Sequence, residues 1–385
     1  VLTDLTLAFL TAFFLVLIAT PSVIKVAKLK HIVDEPGDAR KLHRRSIPTI
    51  GGILIFAGTI LAYCLWFPSK SEWQIGQAPW TYSADGQNIT IPAGFWQIGK
   101  NQFVATALNE FKYLVACMFI LFFLGLKDDI IGVAPTKKLV VHIVVGSILV
   151  LMADIRLTEF WGLFELEHKL PYLVSVPLSI FIYIVIVNAI NLIDGIDGLA
   201  AGTGLIASMT LAFWFYRTGD VPLALLAVGL AGSLLGFLIY NWQPAKIFMG
   251  DSGSLIIGVV IYVLIMKMIE YPPDDRSEAL MDVSKPVLAM AILAYPLIDT
   301  LRVFIIRALS GRSPFSADKN HIHHKLLSLG LKHWQVSATL YVFTLFIILL
   351  TFLTPARTPN ISFLIVGGTA LVLANAIFLI KKKNP

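Results

Sequence analysis

Residues 172–202 read "YLVSVPLSIFIYIVIVNAINLIDGIDGLAAG". Positions 172–190 carry almost nothing but apolar and β-branched side chains. At 1.5 Å per residue that run is long enough for a hydrocarbon core about 30 Å thick. At its mouth stand Asn188, Asn191, Asp194 and Asp197, two carboxamides and two carboxylates within ten residues. The rest of the chain repeats the first half of this pattern. Of its 385 residues 57% are hydrophobic and 14% charged, with a mean hydropathy of +0.79, whereas soluble domains carry about 25% charged residues. The composition predicts an all-α polytopic membrane protein with eleven spans, near 4–24, 49–67, 110–126, 138–155, 172–190, 199–216, 221–240, 253–270, 286–307, 335–354 and 361–380.

Basic residues set the expected orientation, because Lys and Arg are retained on the cytoplasmic side. With the N-terminus outside, two thirds of the 30 Lys and Arg fall on the inner side, Lys381, Lys382 and Lys383 being the last anchor. The expected topology is N-out and C-in. The positive-inside bias accounts for much of the formal charge of +6, so that charge is no argument for nucleic acid. Cys64 and Cys117 both fall in predicted spans, which argues against a disulfide framework or a Cys-based metal site. The first helix has no A-x-A-like site after it and reads as a retained span. Residues 68–109 form one long outer insert rich in Trp and Gly, with "NITI" and "FWQI" as its expected short strands. No fixed-period or inverted repeat is apparent, and 1–385 reads as a single transmembrane domain.

The polar constellations all belong to the inner side. "VDEPGDARKLHRRSIPTIGG" (33–52) gathers Arg40, Lys41, His43, Arg44 and Arg45 ahead of Pro48 and the Gly51–Gly52 pair. Its bland reading is a topogenic basic loop. Its sharper one is a headgroup-level cradle for a phosphate, with glycines that let a ligand or neighbouring helix approach. "GLKDDIIGVAPTKKLV" (125–140) places Asp128 and Asp129 at the end of an apolar helix, where ionisable groups are costly and tend to be functional. With Lys127, Lys137 and Lys138 they supply the acceptors and donors that magnesium and phosphates require. In the opening stretch Asn191 and Asp194 lie three apart on one side of a turn, with Asp197 one turn on. Four such residues exceed what a helix cap needs, and oxygen ligands suit a hard cation.

"NWQPAKIFMGDSGS" (241–254) sets Asp251 and two serines at a helix start, a cap or an anion site, and matches neither a P-loop nor a dinucleotide fingerprint. "GRSPFSADKNHIHHKLLSLGL" (311–331) holds His321, His323 and His324, with Asp318 and Lys319 upstream. Histidine tracts suggest zinc, but no HExxH pattern or nearby cysteine supports it. With Arg302, Arg307 and Arg312 the histidines make a better clamp for a diphosphate or sugar. Together the five loops provide what metal-assisted phosphoryl transfer at a membrane surface uses.

The ordered set "RKLHRRSIPTIGG", "GLKDDIIG", "NAINLIDGIDGLAAG", "FMGDSGS" and "DKNHIHHKL" resembles the polyprenyl-phosphate N-acetylhexosamine-1-phosphate transferases, and its DKxHxHH form resembles their UDP-N-acetylglucosamine branch. The resemblance spans residues 33–331. It implies that undecaprenyl phosphate attacks the β-phosphorus of UDP-N-acetylglucosamine, giving undecaprenyl-diphospho-N-acetylglucosamine and UMP at the cytoplasmic face of the bacterial inner (plasma) membrane, the first membrane step of an envelope polysaccharide. By position it assigns Mg²⁺, with Mn²⁺ as a substitute, to Asp251 and Asn191. Asp128 and Asp129 would orient or deprotonate the lipid phosphate or assist the metal. Lys137 and Lys138 both fit the family's phosphate-binding lysine, and Lys138 is favoured because it directly precedes the apolar run. Asp194 and Asp197 would line the nucleotide site, His321, His323 and His324 would hold the sugar diphosphate, and Lys41, His43, Arg44 and Arg45 would face the lipid phosphate, with Arg302 among the substrate-binding residues. The expected partners are the bilayer, the two substrates and a second copy in a homodimer, with no nucleic acid.

Two other readings differ from this one. The same chemistry could use another UDP-N-acetylhexosamine. A transporter would need intramembrane polar groups near the midplane, and Asp299 with Arg302 are the candidates, though their spacing of three fits a helix-face pair.

Overall fold

The computed structural model describes residues 1–34, 46–67, 80–84, 87–91, 96–271, 283–311, 320–354 and 358–380, the side chains of 80–109 lying outside that description. Its helices are α1 (Leu2–Leu29), α2 (Gly52–Trp66), α3 (Trp96–Ile131), α4 (Pro135–Ser147, prolonged by a wider π turn at Ile148–Met152), α5 (Tyr172–Leu192), α6 (Leu199–Thr218), α7 (Val221–Asn241), α8 (Asp251–Ile269), α9 (Lys285–Ile292), α10 (Ala294–Leu309), α11 (Ile322–Ser328), α12 (His333–Phe352) and α13 (Pro359–Leu379). Two small antiparallel hairpins accompany them, β1 (Val33–Asp34) with β2 (Ile47–Pro48) and β3 (Trp80–Ala84) with β4 (Gln87–Ile91). The all-α reading holds, and every predicted span except 286–307 falls on a single helix.

Length and composition alone bear out part of the expected eleven spans. Among the described residues eight helices are long and apolar enough to cross a membrane, and α9 with α10 makes a ninth if that bent pair is one span. α2, at 15 residues, is short for a crossing. The span expected at 286–307 breaks at Leu293 with a bend of 72°. Pro296 sits in the first turn beyond the break and has no N–H to give the Ile292 carbonyl, so the helical ladder is interrupted there. In the insert, "NITI" lies in β4 as expected, but "FWQI" does not form a strand, because α3 already begins at Trp96. The partner strand is 80–84, and the missed signal was Asp85–Gly86 between two runs, a dipeptide typical of tight hairpins.

α8 is the axis of the bundle. Of its most apolar 18-residue window 94% is buried, against 22% for α1 and α13, so a helix hydrophobic all round occupies the centre and the outer helices keep apolar faces for lipid. α3 and α5 flank α8, while α7 packs on α1, α2 and α6. Lys267, within α8, is neutralised by Glu110 of α3 at 2.7 Å. Glu110→Gln removes this charge pair far from the candidate site at the other end of α8. The expected result is a loss of about 2 kcal/mol of stability in detergent, read as a lower melting temperature, with turnover retained.

Candidate active site

Four helix ends meet at one end of the bundle. The C-terminal end of α3 brings Asp128 and Asp129, the first turn of α4 brings Lys138, the last turn of α5 brings Asn191, and α8 opens with Asp251. Lys138 Nζ stands between two carboxylates, 2.7 Å from Asp128 Oδ2 and 2.6 Å from Asp251 Oδ2. The other Asp251 oxygen accepts from Asn191 Nδ2 at 2.9 Å, and the same amide nitrogen lies 2.8 Å from Ser254 Oγ. Asp128 is fixed from behind by the Val133 N–H at 2.7 Å. Lys137, the alternative lysine, is exposed, and Lys138 is the one that reaches the two carboxylates.

Asp129 does a different job from Asp128. Its carboxylate accepts from the Asp251 N–H (2.7 Å), the Ser252 N–H (3.1 Å) and Ser252 Oγ (2.7 Å). It thus satisfies the open N–H groups of the first turn of α8, where a negative charge is also favoured by the helix dipole. The turn needs Gly250, whose φ is +72° and whose Cβ would fall 2.3 Å from the Thr49 carbonyl and 2.6 Å from Asp129 Oδ2. The backbone of the "PTIGG" segment closes on the same turn. The Gly51 and Gly52 N–H groups donate to the Phe248 and Met249 carbonyls at 3.0 and 2.9 Å. A Cβ at Gly52 would meet Gly253 N at 2.1 Å, so this glycine serves a helix-to-helix approach.

Asp194 and Asp197, paired in the sequence, part company. Asp194 accepts from the Gly250 N–H; withdrawal from water, then the Asp251 and Asp129 carboxylates, push its carboxyl up to about 8. Asp197 accepts from the Ala245 N–H at 3.1 Å, lies 3.4 Å from His333 Nδ1, and gives its carbonyl to Ser337 Oγ. It ties the turn after α5 to α12 and to the segment before α8. Asn188 donates back to the Ile184 carbonyl within its own helix. Arg302 Nη1 donates to the Asn320 carbonyl and its guanidinium lies 3.3 Å over the Phe378 ring. His321 and His323 are buried and His324 is partly exposed. Asp299 turns both carboxylate oxygens to the start of α11, in place of the helix-face pair expected with Arg302. Lys41, His43, Arg44 and Arg45, with Asp318 and Lys319, lie outside the described residues.

The donors gathered here are carboxylate, amide and hydroxyl groups. Asp128 and Asp251 share a single ammonium, Lys138, while Asp129 and Asp194 accept from the backbone of the turn that opens α8, an excess of carboxyl oxygens that a hard divalent cation would balance. Asn191 presents its N–H to Asp251, and a half-turn of the amide presents oxygen instead. The residues therefore fit a magnesium-type ion.

Residues 111–269 match the model of a family described as glycosyl transferase family 4. A Bacillus subtilis protein named probable undecaprenyl-phosphate N-acetylglucosaminyl 1-phosphate transferase is 31% identical over 336 residues, 87% of this chain and 80% of the relative. The chain belongs to glycosyl transferase family 4. It is thereby one of the polyprenyl-phosphate N-acetylhexosamine-1-phosphate transferases that its five motifs resemble. Among other relatives, a Mycobacterium leprae decaprenyl-phosphate N-acetylglucosaminephosphotransferase is 32% identical over 89% of this chain and 81% of its own length. An Escherichia coli K12 undecaprenyl-phosphate alpha-N-acetylglucosaminyl 1-phosphate transferase is 26% identical over 81% of this chain and 73% of its own.

Motif reading missed the parts of this family site that act through the backbone. Asn241 is buried and bridges two of its loops, accepting from the Gly198 N–H and donating to the Ile247 carbonyl, both at 2.9 Å. Its only signal was a polar residue closing an apolar helix just before "WQPAKIF".

Proposed function

We propose that this protein transfers N-acetylglucosamine 1-phosphate from UDP-N-acetylglucosamine to undecaprenyl phosphate, releasing UMP and forming undecaprenyl-diphospho-N-acetylglucosamine. The reaction belongs at the cytoplasmic face of the bacterial inner membrane and begins an envelope polysaccharide. The observation that carries the reading is the Asp128–Lys138–Asp251–Asn191 chain at one end of an apolar bundle. A transporter would need such groups near the midplane, open to both sides. An apolar groove of about 220 Å³ adds support, lined by α5, α8, α9 and α10 with Phe181, Ile186, Ile265, Met266, Leu293 and Leu297 among its walls. It runs along α5 to within about one and a half turns of Asn191, a suitable bed for a polyprenyl chain whose phosphate ends at the site.

An oxygen of the lipid phosphate forms a bond to the β-phosphorus, and the bond from that phosphorus to the oxygen bridging to the α-phosphate breaks, leaving with UMP. The nucleophile is an ionised phosphate oxygen and the leaving group a phosphate, so neither a strong base nor a general acid is required. Both substrates are anionic, and the protein's work is to bring them together and offset their charge. Lys138 is the phosphate partner, held in place by Asp128. Asp251 and Asn191 would hold Mg²⁺, which supplies Lewis-acid charge neutralisation at the phosphate oxygens. Asp129 keeps Asp251 at the helix start, and His324 faces the sugar diphosphate.

Transfer to undecaprenyl phosphate by the purified protein in detergent tests the donor. Lipid product is expected with UDP-N-acetylglucosamine and Mg²⁺, and none with EDTA. Product from another UDP-N-acetylhexosamine alone would keep the chemistry and change the substrate, while none with any donor would favour the transporter.

A further inference from the structure

Two residues outside all five motifs grip the histidine segment. Tyr295 and Asp299 lie one turn apart on the buried face of α10, just beyond the bend at Leu293, and are 1% and 0% exposed. Asp299 Oδ1 accepts from the Ile322 N–H at 2.7 Å, and Oδ2 lies 2.9 Å from His321 Nδ1. Tyr295 Oη lies 3.2 Å from His323 Nδ1. The opposite edge of the His323 ring rests on the turn after α5, where a Cβ on Gly195 would come within 2.9 Å of Nε2. A continuous line of contacts therefore runs from α10 through the two buried histidines to the residue next to Asp194.

The chemistry of the line limits what each histidine does. A carboxylate accepts only, so Asp299 holds the His321 proton on Nδ1 and fixes the ring as well as the backbone entering α11. The rings of His321 and His323 lie 5.3 Å apart and within 18° of parallel, both buried. His324, its ring 4.4 Å from that of His323, is the partly exposed member of the three. We propose that Asp299 is a positioning residue of the transfer reaction, which, with Tyr295, clamps His321 and His323 and so sets both His324 and the Asp194–Gly195 turn. This rests on the reading above that the histidine segment serves the sugar diphosphate. Asp299, His321 and His323 also lie close enough together to hold a metal ion, the competing explanation for the same cluster. It is the weaker one, because each Nδ1 and both carboxylate oxygens already have hydrogen-bond partners.

The test uses the full-length protein in detergent. Asp299→Asn keeps an oxygen for the Ile322 N–H but turns an NH₂ toward His321, and His321→Asp alone sets two carboxylates together in a buried place. Each is expected to lower kcat at least about tenfold. Asp299→Asn should do so with an unchanged KM for undecaprenyl phosphate and a melting temperature within a few degrees of the wild type, a split that a merely structural role would not give. The pair Asp299→Asn with His321→Asp reverses the donor and acceptor, and is expected to recover a large part of the lost kcat. Wild-type kcat in Asp299→Asn, or no recovery in the pair, would overturn the proposal. So would a stoichiometric metal in the purified protein that Asp299→Asn loses. A wild-type protein that forms no lipid product would instead remove the reading beneath the proposal, and the proposal with it.

Discussion

Asp251→Asn is expected to lower turnover at least about a thousandfold while leaving the melting temperature in detergent within a few degrees of the wild type. The substitution keeps the volume and one oxygen but deletes the charge at the node of the site. Asp251 Oδ2 receives Lys138, its other oxygen receives Asn191, and its own N–H is held by Asp129. The backbone part of that arrangement survives the change, so α8 still starts at the same place. What is lost is the anionic oxygen that holds both the ammonium and the proposed cation. Initial rates of UMP release alongside a thermal unfolding curve decide it, and turnover within tenfold of the wild type would remove Asp251 from the metal site.

Lys138→Met should cost about a hundredfold to a thousandfold in turnover. Methionine fills the aliphatic space of the lysine stem but leaves Asp128 and Asp251 facing the incoming phosphates without the ammonium between them. Lys137→Met is the control, since its side chain is exposed. It is expected to be milder by at least a factor of ten. Equal losses in the two variants would mean that the lysines share the phosphate, against the geometry.

Much of this site was legible in the sequence because its residues break a strong pattern. Asp128, Asp129, Asn191 and Asp251 each stand at the end of an apolar run, and polarity at such a boundary is costly enough to be noticed. Proximity was not legible. Nothing in the spacing says that Lys138 and Asp251, 113 positions apart, share a hydrogen bond, nor that Asp129 spends its oxygens on the first turn of α8 while Asp128 holds the lysine. Asp197 was paired with Asp194 by the resemblance, and its separate surroundings were not legible either: its carboxylate is tied to Ala245 and lies beside His333. The spans were readable from hydropathy, but the break at Leu293 was not, because a hydropathy window averages over Pro296. Asp299 was read as a helix-face pair with Arg302, three positions on, and its actual partners come from a segment more than twenty residues away.

The measurement that tests the central claim most directly follows phosphorus. Purified protein is given undecaprenyl phosphate, Mg²⁺ and UDP-N-acetylglucosamine labelled with ³²P at the β position or, in a second sample, at the α position. Transfer of a sugar 1-phosphate predicts that the β label moves into the lipid and the α label leaves as UMP, one for one. Release of UDP carrying both labels, with a lipid that gains sugar but no ³²P, would contradict it.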